Sequence, residues 1–413
     1  MPANLNKPAE AVAWLKTADA VRERSHALLA LGEAGTLNHF RLDLDRMDQA
    51  ADYVADVIRE QYPQLEIPYH SRWRHFHAAG VDRWGMIADA VSMLDITEIA
   101  RLRFDLCVPS VLLDAGAGTT WRYEEPGTGM FLARSEGLAV ASLHGFVEGA
   151  FSSDPHNRML ADAAGLEAVT PQTIETMFQV SGKNPLLGVP GRAELMRHLG
   201  QVLRERPDIF GRFEPRIGHL YDHIKRAYPN AVPARAILEA VLDAFGPIWP
   251  SRLQIGGENL GDVWRHSQIV TRDLTSGLIP FHKLSQWLTY SLIEIFQDAG
   301  DEVTDVGELT GLPEYRNGGL FIDLGVIRPR DPALRETLLP VDHEAVVEWR
   351  GLTVALLDRL ATPVRLRLGR SEDDMPLACV LEGGTWAAGR KIASELRPDG
   401  GPPLKILSDG TVF

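Results

Sequence analysis

The sequence predicts a mainly α-helical protein with minor β structure. Apolar residues recur at helical spacing over most of the chain, strand-like alternation is confined to a few short stretches, and strands and helices do not alternate in its later part. Residues 8–34 carry Val12, Leu15, Val21, Leu28 and Leu29 at helical spacing and stop near Gly32. Residues 44–61 repeat the pattern through Met47, Ala51, Val54 and Ile58 and end before Pro63. The stretch from 104 to about 150 is different. It is Gly-rich, has short apolar runs at 107–113 and 138–143 and turn signals at 126–129, and is expected to be a small β or irregular insertion. Helical patterns return at 157–168, 171–180, 191–205, 214–227, 232–245, 280–299 and 343–361. The last stretch offers strand candidates at 364–368 and 377–381, a helix near 385–396 and the tail 404–413. The expected organisation is an N-terminal helical region (1–103), the insertion (104–150), a helical core (151–361) and a mixed C-terminal cap (362–413), all four within one domain or not.

Of the 413 residues 45% are hydrophobic, enough for a large core, so global disorder is excluded. The 42 basic against 56 acidic side chains leave a net charge of -14, which makes duplex nucleic acid a poor partner. A small anion remains compatible, because a few Arg and Lys can make a local positive pocket. Cys107 and Cys379 are the only cysteines and neither lies in a C-x-x-C, so no zinc or redox framework is visible. Residues 1–15 lack the apolar core of a leader, and no run reaches the roughly 18 apolar residues of a membrane span. A soluble cytoplasmic protein, without a membrane partner, is expected.

Residues 111–118 (VLLDAGAG) look like the glycine loop of an adenosylmethionine-dependent methyltransferase. That loop needs a helix immediately after it, and 121–129 (WRYEEPGTG) cannot make one, so this reading is rejected. Three other segments concentrate chemistry. Residues 67–76 (IPYHSRWRHF) pack His70, Arg72, Trp73, Arg74 and His75 into a span with no amphipathic period. Such a cluster can stack a planar group and pair a phosphate, or serve as a packing corner. After Pro280, Lys283, Gln286 and Tyr290 share one helix face beside an apolar stripe, as in a helix lining a polar cavity or in an ordinary solvent face. Residues 309–319 (LTGLPEYRNGG) read as a short rigid hairpin that can hold Glu314 at a fixed point, with Tyr315 and Arg316 beside it.

The chain resembles the uracil-catabolism protein family over nearly its full length. The resemblance rests on residues 67–76, 108–125 (VPSVLLDAGAGTTWRYEE), 134–143 (RSEGLAVASL), 261–266 (GDVWRH), 309–323 (LTGLPEYRNGGLFID), 382–390 (EGGTWAAGR) and 408–413 (SDGTVF). It implies a step downstream of pyrimidine ring opening, where a ribosylurea-type compound loses urea. Residues 280–350 also resemble the queuosine salvage proteins, which cleave a nucleotide N-glycosidic bond and have a helical DNA-glycosylase-like fold. Pro280, Lys283 and Gln286 match that family's Lys-x-x-Gln helix. Leu309, Thr310, Tyr315 and Arg316 match its hairpin, with Glu314 where it carries Asp, and Glu348 and Arg350 match its Glu-x-Arg element. The fold so implied is a DNA-glycosylase-like helical core with a small β-containing insertion and a short mixed C-terminal segment.

The function implied is an N-ribosyl hydrolase acting on a ribosyl phosphate. Glu314, Lys283 and Tyr315 are the expected catalytic residues. Glu314 faces the cationic sugar carbon and either takes a proton from water or attacks the carbon itself. Lys283, Arg316, Arg350, Arg72 and Arg74 are the expected phosphate ligands, Gln286 and Glu348 further substrate contacts, and Trp73 and Trp264 the walls of the leaving group, with Arg265 beside them. His70, His75 and Asp114 are the candidates for protonating that group. No metal or organic cofactor is expected. Three rivals are a DNA glycosylase, disfavoured by charge, an amidohydrolase, for which no metal cluster or paired nucleophile is visible, and a non-catalytic protein that senses pathway intermediates.

Overall fold

The structure, a computed structural model, describes residues 4–114, 116–118, 120–249 and 252–407. Helices dominate these residues, and strands occur in two-stranded sheets. The chain divides into two compact units, each assembled from separated stretches. Met1–His70, Ser251–Gln286 and Asp305–Phe413 form the first, and Ser71–Pro250 with Trp287–Thr304 the second. The four consecutive segments expected from the sequence differ from this division, because long-range packing leaves no mark in linear order.

In the first unit the helix Glu344–Leu368 is buried along most of its length and packs on Ala18–Glu33 and Met47–Gln61. Its N-terminus is capped by the His343 ring, which accepts from Ala345 N at 3.1 Å, and it ends where Gly369 turns left-handed. Helix Ala18–Glu33 is capped by Thr17, whose Oγ1 accepts from Ala20 N at 3.1 Å. Helix Tyr315–Asp323 packs on Trp386–Leu396. The antiparallel pair Val263–Arg265 and Leu278–Pro280, with Trp264 opposite Ile279, leads directly into the helix Lys283–Asp298. The first turn of that helix belongs to the first unit and the remainder to the second.

In the second unit Ile96–Leu112 pairs with Arg134–Glu148, and Val189–Glu205 packs on Ala163–Glu167 and Pro171–Met177. Asp105, fully buried, accepts from Gly218 N at 2.7 Å and pairs with Arg216. Strand Ala231–Pro233 runs parallel to Glu302–Thr304.

Two strand expectations are corrected. The apolar runs 107–113 and 138–143 lie in helices, Ile96–Leu112 and Arg134–Glu148, and β structure in the expected insertion is limited to the hairpin Tyr123–Glu124 with Phe131–Leu132. A helix buried on all sides shows the same unbroken apolar run as a buried strand, so periodicity could not separate them. The candidates 364–368 and 377–381 are also helical. Glu344–Leu368 continues through Pro363, where burial of the flanking turns outweighs one missing N–H bond, and Leu377–Val380 is a helical turn. No helix formed by the described residues is long and apolar enough to cross a membrane. Residues 408–413, which carry part of the family resemblance, lie outside the described residues.

Among the described glycines of the first unit the tightest approach is at Gly389, where an added Cβ would sit 2.1 Å from the Arg316 carbonyl oxygen. That contact sets the spacing between Tyr315–Asp323 and Trp386–Leu396. Gly389→Ala is therefore expected to cost about 1–3 kcal/mol through overpacking against backbone. Thermal unfolding checks this: the variant melts lower, and an unchanged midpoint would remove Gly389 as the spacer.

Candidate functional site

Glu314 is the N-cap of helix Tyr315–Asp323, with extended backbone (φ -115°, ψ 167°). Its Oε2 accepts from Arg316 N at 2.8 Å and its Oε1 from Asn317 N at 2.5 Å. The expected hairpin at 309–319 is thus an extended segment running into a helix, and Gly318 and Gly319 lie inside that helix. Glu is not among the favoured cap residues, and a Gly–Gly pair reads as a turn, which hid the helix start. The carboxylate is buried and sits where the helix dipole and two orphan N–H groups favour negative charge. Burial still pushes its pKa above the ordinary carboxylate range, against the pull of the two N–H groups and the nearby charges of Lys283 and His70. Each oxygen keeps a lone pair for a further donor.

The segment before Glu314 is held from several directions. Thr310 N donates to Gln286 Oε1 at 3.0 Å, and Gln286 Nε2 returns a bond to Thr310 Oγ1. Arg22 donates to the carbonyls of Glu308 at 3.0 Å and Leu309 at 2.8 Å while pairing with Asp358 at 2.9 Å. Asn317 Nδ2 donates to Leu312 O at 3.1 Å, and Thr385 Oγ1 donates to Asn317 Oδ1 at 2.8 Å. Gln286, expected at the substrate, is therefore fully buried and engaged as an anchor of this segment.

Asp262 organises the other side. It takes both Arg350 guanidinium nitrogens at 2.8 Å, Trp264 Nε1 at 2.6 Å and the backbone N–H of Lys283 at 3.0 Å. Burial opposes its charge, but the Arg350 guanidinium and these hydrogen bonds outweigh it and hold the carboxyl well below its usual range. Asp262 so caps the helix that carries Lys283. Arg350 also donates to Pro313 O at 3.3 Å, one residue before Glu314, and lies over the Phe281 ring at 4.2 Å. Glu348 is fully buried and accepts from Asn38 N, His39 N and Phe40 N at 3.2, 3.0 and 2.9 Å and from His266 Nε2 at 3.0 Å. The guanidinium of Arg350 and the carboxylate of Glu348 thus serve bonds inside the protein. Both residues also hold the frame around Glu314 and Asp262. Trp264 is buried with its N–H committed to Asp262, while Arg265 is exposed at the end of its strand.

Lys283 is half-buried at the start of its helix. Tyr315 is half-buried, with the Arg316 guanidinium 5.0 Å from its ring centroid, and Arg316 Nη1 donates to Gly400 O at 2.8 Å. His70 Nδ1 lies 2.6 Å from Glu382 Oε2, and its ring packs 5.7 Å from Trp386. Gln286 and Arg350 are tied to the Glu314 segment through Thr310 and Pro313, and Thr385 ties the turn that bears Glu382, the partner of His70, to Asn317. Sequence reasoning did not single out Asp262 or Glu382. Both lie in strings that carry the family resemblance, GDVWRH and EGGTWAAGR, and that was the signal available.

The unit boundary falls within the 67–76 run, after His70. In the second unit Arg72 is fully buried and donates to Ser110 Oγ at 2.7 Å, Ser110 O at 2.9 Å and Asp114 Oδ1 at 2.9 Å. Asp114 also accepts from Ser135 Oγ at 3.0 Å. Trp73 donates to Ser291 O at 2.9 Å under the Arg103 guanidinium at 4.2 Å. Arg74 pairs with Glu294 at 2.5 Å, and His75 lies edge-on to Trp287 at 5.5 Å. Arg72, Trp73, Arg74 and Asp114 make a packed polar corner, the structural alternative open from the sequence. Among the described residues no three His, Cys, Asp or Glu side chains cluster as metal ligands.

The raised pKa of Glu314 has a stability consequence. A folded-state value above the unfolded one, about 4.5, gives stability that is fully present below pH 4.5 and lost as pH rises through the folded value. Glu314→Gln does not ionise and escapes this loss. The melting difference, variant minus wild type, should therefore grow in the variant's favour between pH 4.5 and 8. A gap independent of pH would show that burial does not penalise this carboxylate.

Comparison with known proteins places the chain. A family described as "Protein of unknown function (DUF1688)" matches residues 14–413. The protein named "Uracil catabolism protein 4" of Lachancea kluyveri is 39% identical over 442 aligned residues, covering 97% of this chain and 99% of the yeast protein. "Protein urg3" of Schizosaccharomyces pombe is 41% identical over 414 residues, covering 98% and 99%. A match spanning almost the whole chain, with relatives this similar over their full lengths, makes it a member of the DUF1688 family.

Proposed function

We propose that this protein is an N-ribosyl hydrolase of uracil catabolism that cleaves the C1–N bond of a phosphorylated ribosylurea, releasing urea and ribose phosphate. The name of the Lachancea relative supports the pathway. The observation that carries the chemistry is Glu314: a buried carboxylate, held by two backbone N–H groups, with its pKa raised by desolvation.

Breaking a ribosyl C–N bond develops positive charge on the sugar, so a fixed carboxylate stabilises the transition state more than the ground state. A carboxylate with raised pKa is also a better base toward water. Its rigid mounting keeps the reorganisation small as charge develops. Lys283, half-buried and close enough to bias Glu314 electrostatically, is the cation we assign to the substrate's phosphate end, with Arg316 as the second. Tyr315 lies against the Arg316 guanidinium. The substrate is a small anion; neither nucleic acid nor a membrane enters the scheme.

Urea release from ribosylurea 5-phosphate tests this. Wild type turns over, and Glu314→Gln loses about 10²–10⁴-fold in kcat, the scale of an acid–base contribution. Saturable binding by wild type without any urea would overturn the hydrolase reading. A Gln variant that keeps most of the turnover would remove Glu314 from the chemistry.

A further inference from the structure

Urea is a poor leaving group unless its nitrogen is protonated as the bond breaks, so a ribosylurea hydrolase needs an acid as well as Glu314. His70 is held as such an acid would be. Its Nδ1 lies 2.6 Å from Glu382 Oε2, and both side chains are largely buried. A carboxylate oxygen accepts, so this pair orients the ring through Nδ1, and Nε2 is the nitrogen that would serve as proton donor. The ring packs against Trp386 at 5.7 Å, and the backbone N–H of His70 donates to Ala378 O at 3.0 Å. Thr385, at the end of the turn that carries Glu382, donates from Oγ1 to Asn317 Oδ1 at 2.8 Å, and Asn317 N donates to Glu314, which puts the His70–Glu382 pair and the carboxylate in one neighbourhood.

Glu382 is placed by an unusual piece of backbone. Residues Leu381–Thr385 (LEGGT) form a π-turn between the helical turn Leu377–Val380 and the helix Trp386–Leu396. Such turns are rare and recur at functional sites. Gly384 lets this turn settle on helix Met47–Gln61: an added Cβ would lie 2.7 Å from Val54 Cγ1 and 2.9 Å from Ile58 Cδ1. Tyr62, the residue after that helix, reaches Glu382 Oε1 with its hydroxyl at 3.4 Å.

We infer that His70, oriented by Glu382, is the general acid that protonates the departing urea nitrogen. This rests on the hydrolase reading above. As the C1–N bond breaks, its electron pair stays with nitrogen, which takes the proton from His70 Nε2. Water adds to C1 and gives its proton to Glu314. Solvent exchange then returns the proton to His70, so the net reaction is hydrolysis. Glu382 touches no reacting atom and is a positioning residue.

Two substrates separate this role from a structural one: ribosylurea 5-phosphate, which needs the acid, and 4-nitrophenyl ribofuranoside 5-phosphate, whose nitrophenolate leaves without it. His70→Asn should lose about 10²–10⁴-fold in kcat on the urea substrate yet stay within about tenfold of wild type on the nitrophenyl one. Glu382→Gln, which keeps an acceptor but not the charge, should lose about 10- to 100-fold on the urea substrate with KM little changed. Glu314→Gln should fail on both. Nitrophenyl turnover also reports that His70→Asn and Glu382→Gln are folded. Equal losses on the two substrates in His70→Asn, or no loss on either, overturn the acid role while leaving the hydrolase intact. Wild type inert toward both compounds overturns the hydrolase reading itself.

Discussion

A carboxylate taken out of water must be held by something, and at residue 314 the holder is the start of a helix. Two peptide N–H groups point at the oxygens, and the chain leading to them is fixed by Gln286, Arg22 and Arg350 through bonds to Thr310 and to the carbonyls of residues 308, 309 and 313. Weaken any of these and the carboxylate gains freedom to reach water, which would return its pKa toward ordinary values. The rest of the first unit is best understood as the frame for this one arrangement. Asp262 has the same part on the facing side, since one carboxylate both neutralises Arg350 and caps the helix that begins at Lys283.

Three departures from ordinary local structure occur in the same unit. His282, just before Lys283, adopts φ +48°, a conformation uncommon for a side-chain-bearing residue. Its ring is buried, donates from Nε2 to Leu15 O at 2.8 Å, and is pushed by burial toward the neutral form. The π-turn at Leu381–Thr385 is a second departure, and a Glu used as helix cap a third. Strained or rare local choices persist when the surroundings over-determine them, and in this unit the surroundings are the bonds around Glu314 and His70.

Much of the helical architecture was legible because amphipathic spacing survives wherever one helix face is exposed, as in Met47–Gln61 or Ala234–Phe245. It failed where burial is all-round, at 107–113 and 138–143, and at 364–368, read as a strand, where the helix from Glu344 runs on through Pro363. At the site, pattern alone pointed to a cluster at 67–76 and a stiff segment at 309–319. It could not tell that the unit boundary separates His70 from Arg72, or that Glu348 and Arg350 turn inward. Glu382 was invisible as a site residue because its partner lies more than three hundred positions away in sequence; only the fold relates EGGTW to the histidine of IPYHSRW.

The most direct test of the central claim is to watch Glu314 ionise. With 13C introduced at the Glu side-chain carboxyl carbons, the pH titration of wild type minus that of Glu314→Gln isolates a single resonance. Its midpoint is predicted to lie clearly above the ordinary value of about 4.5, set by desolvation and only partly offset by the helix N-terminus. A midpoint at or below that value would mean that the carboxylate is solvated or fully compensated, and desolvation could not then be the source of its reactivity.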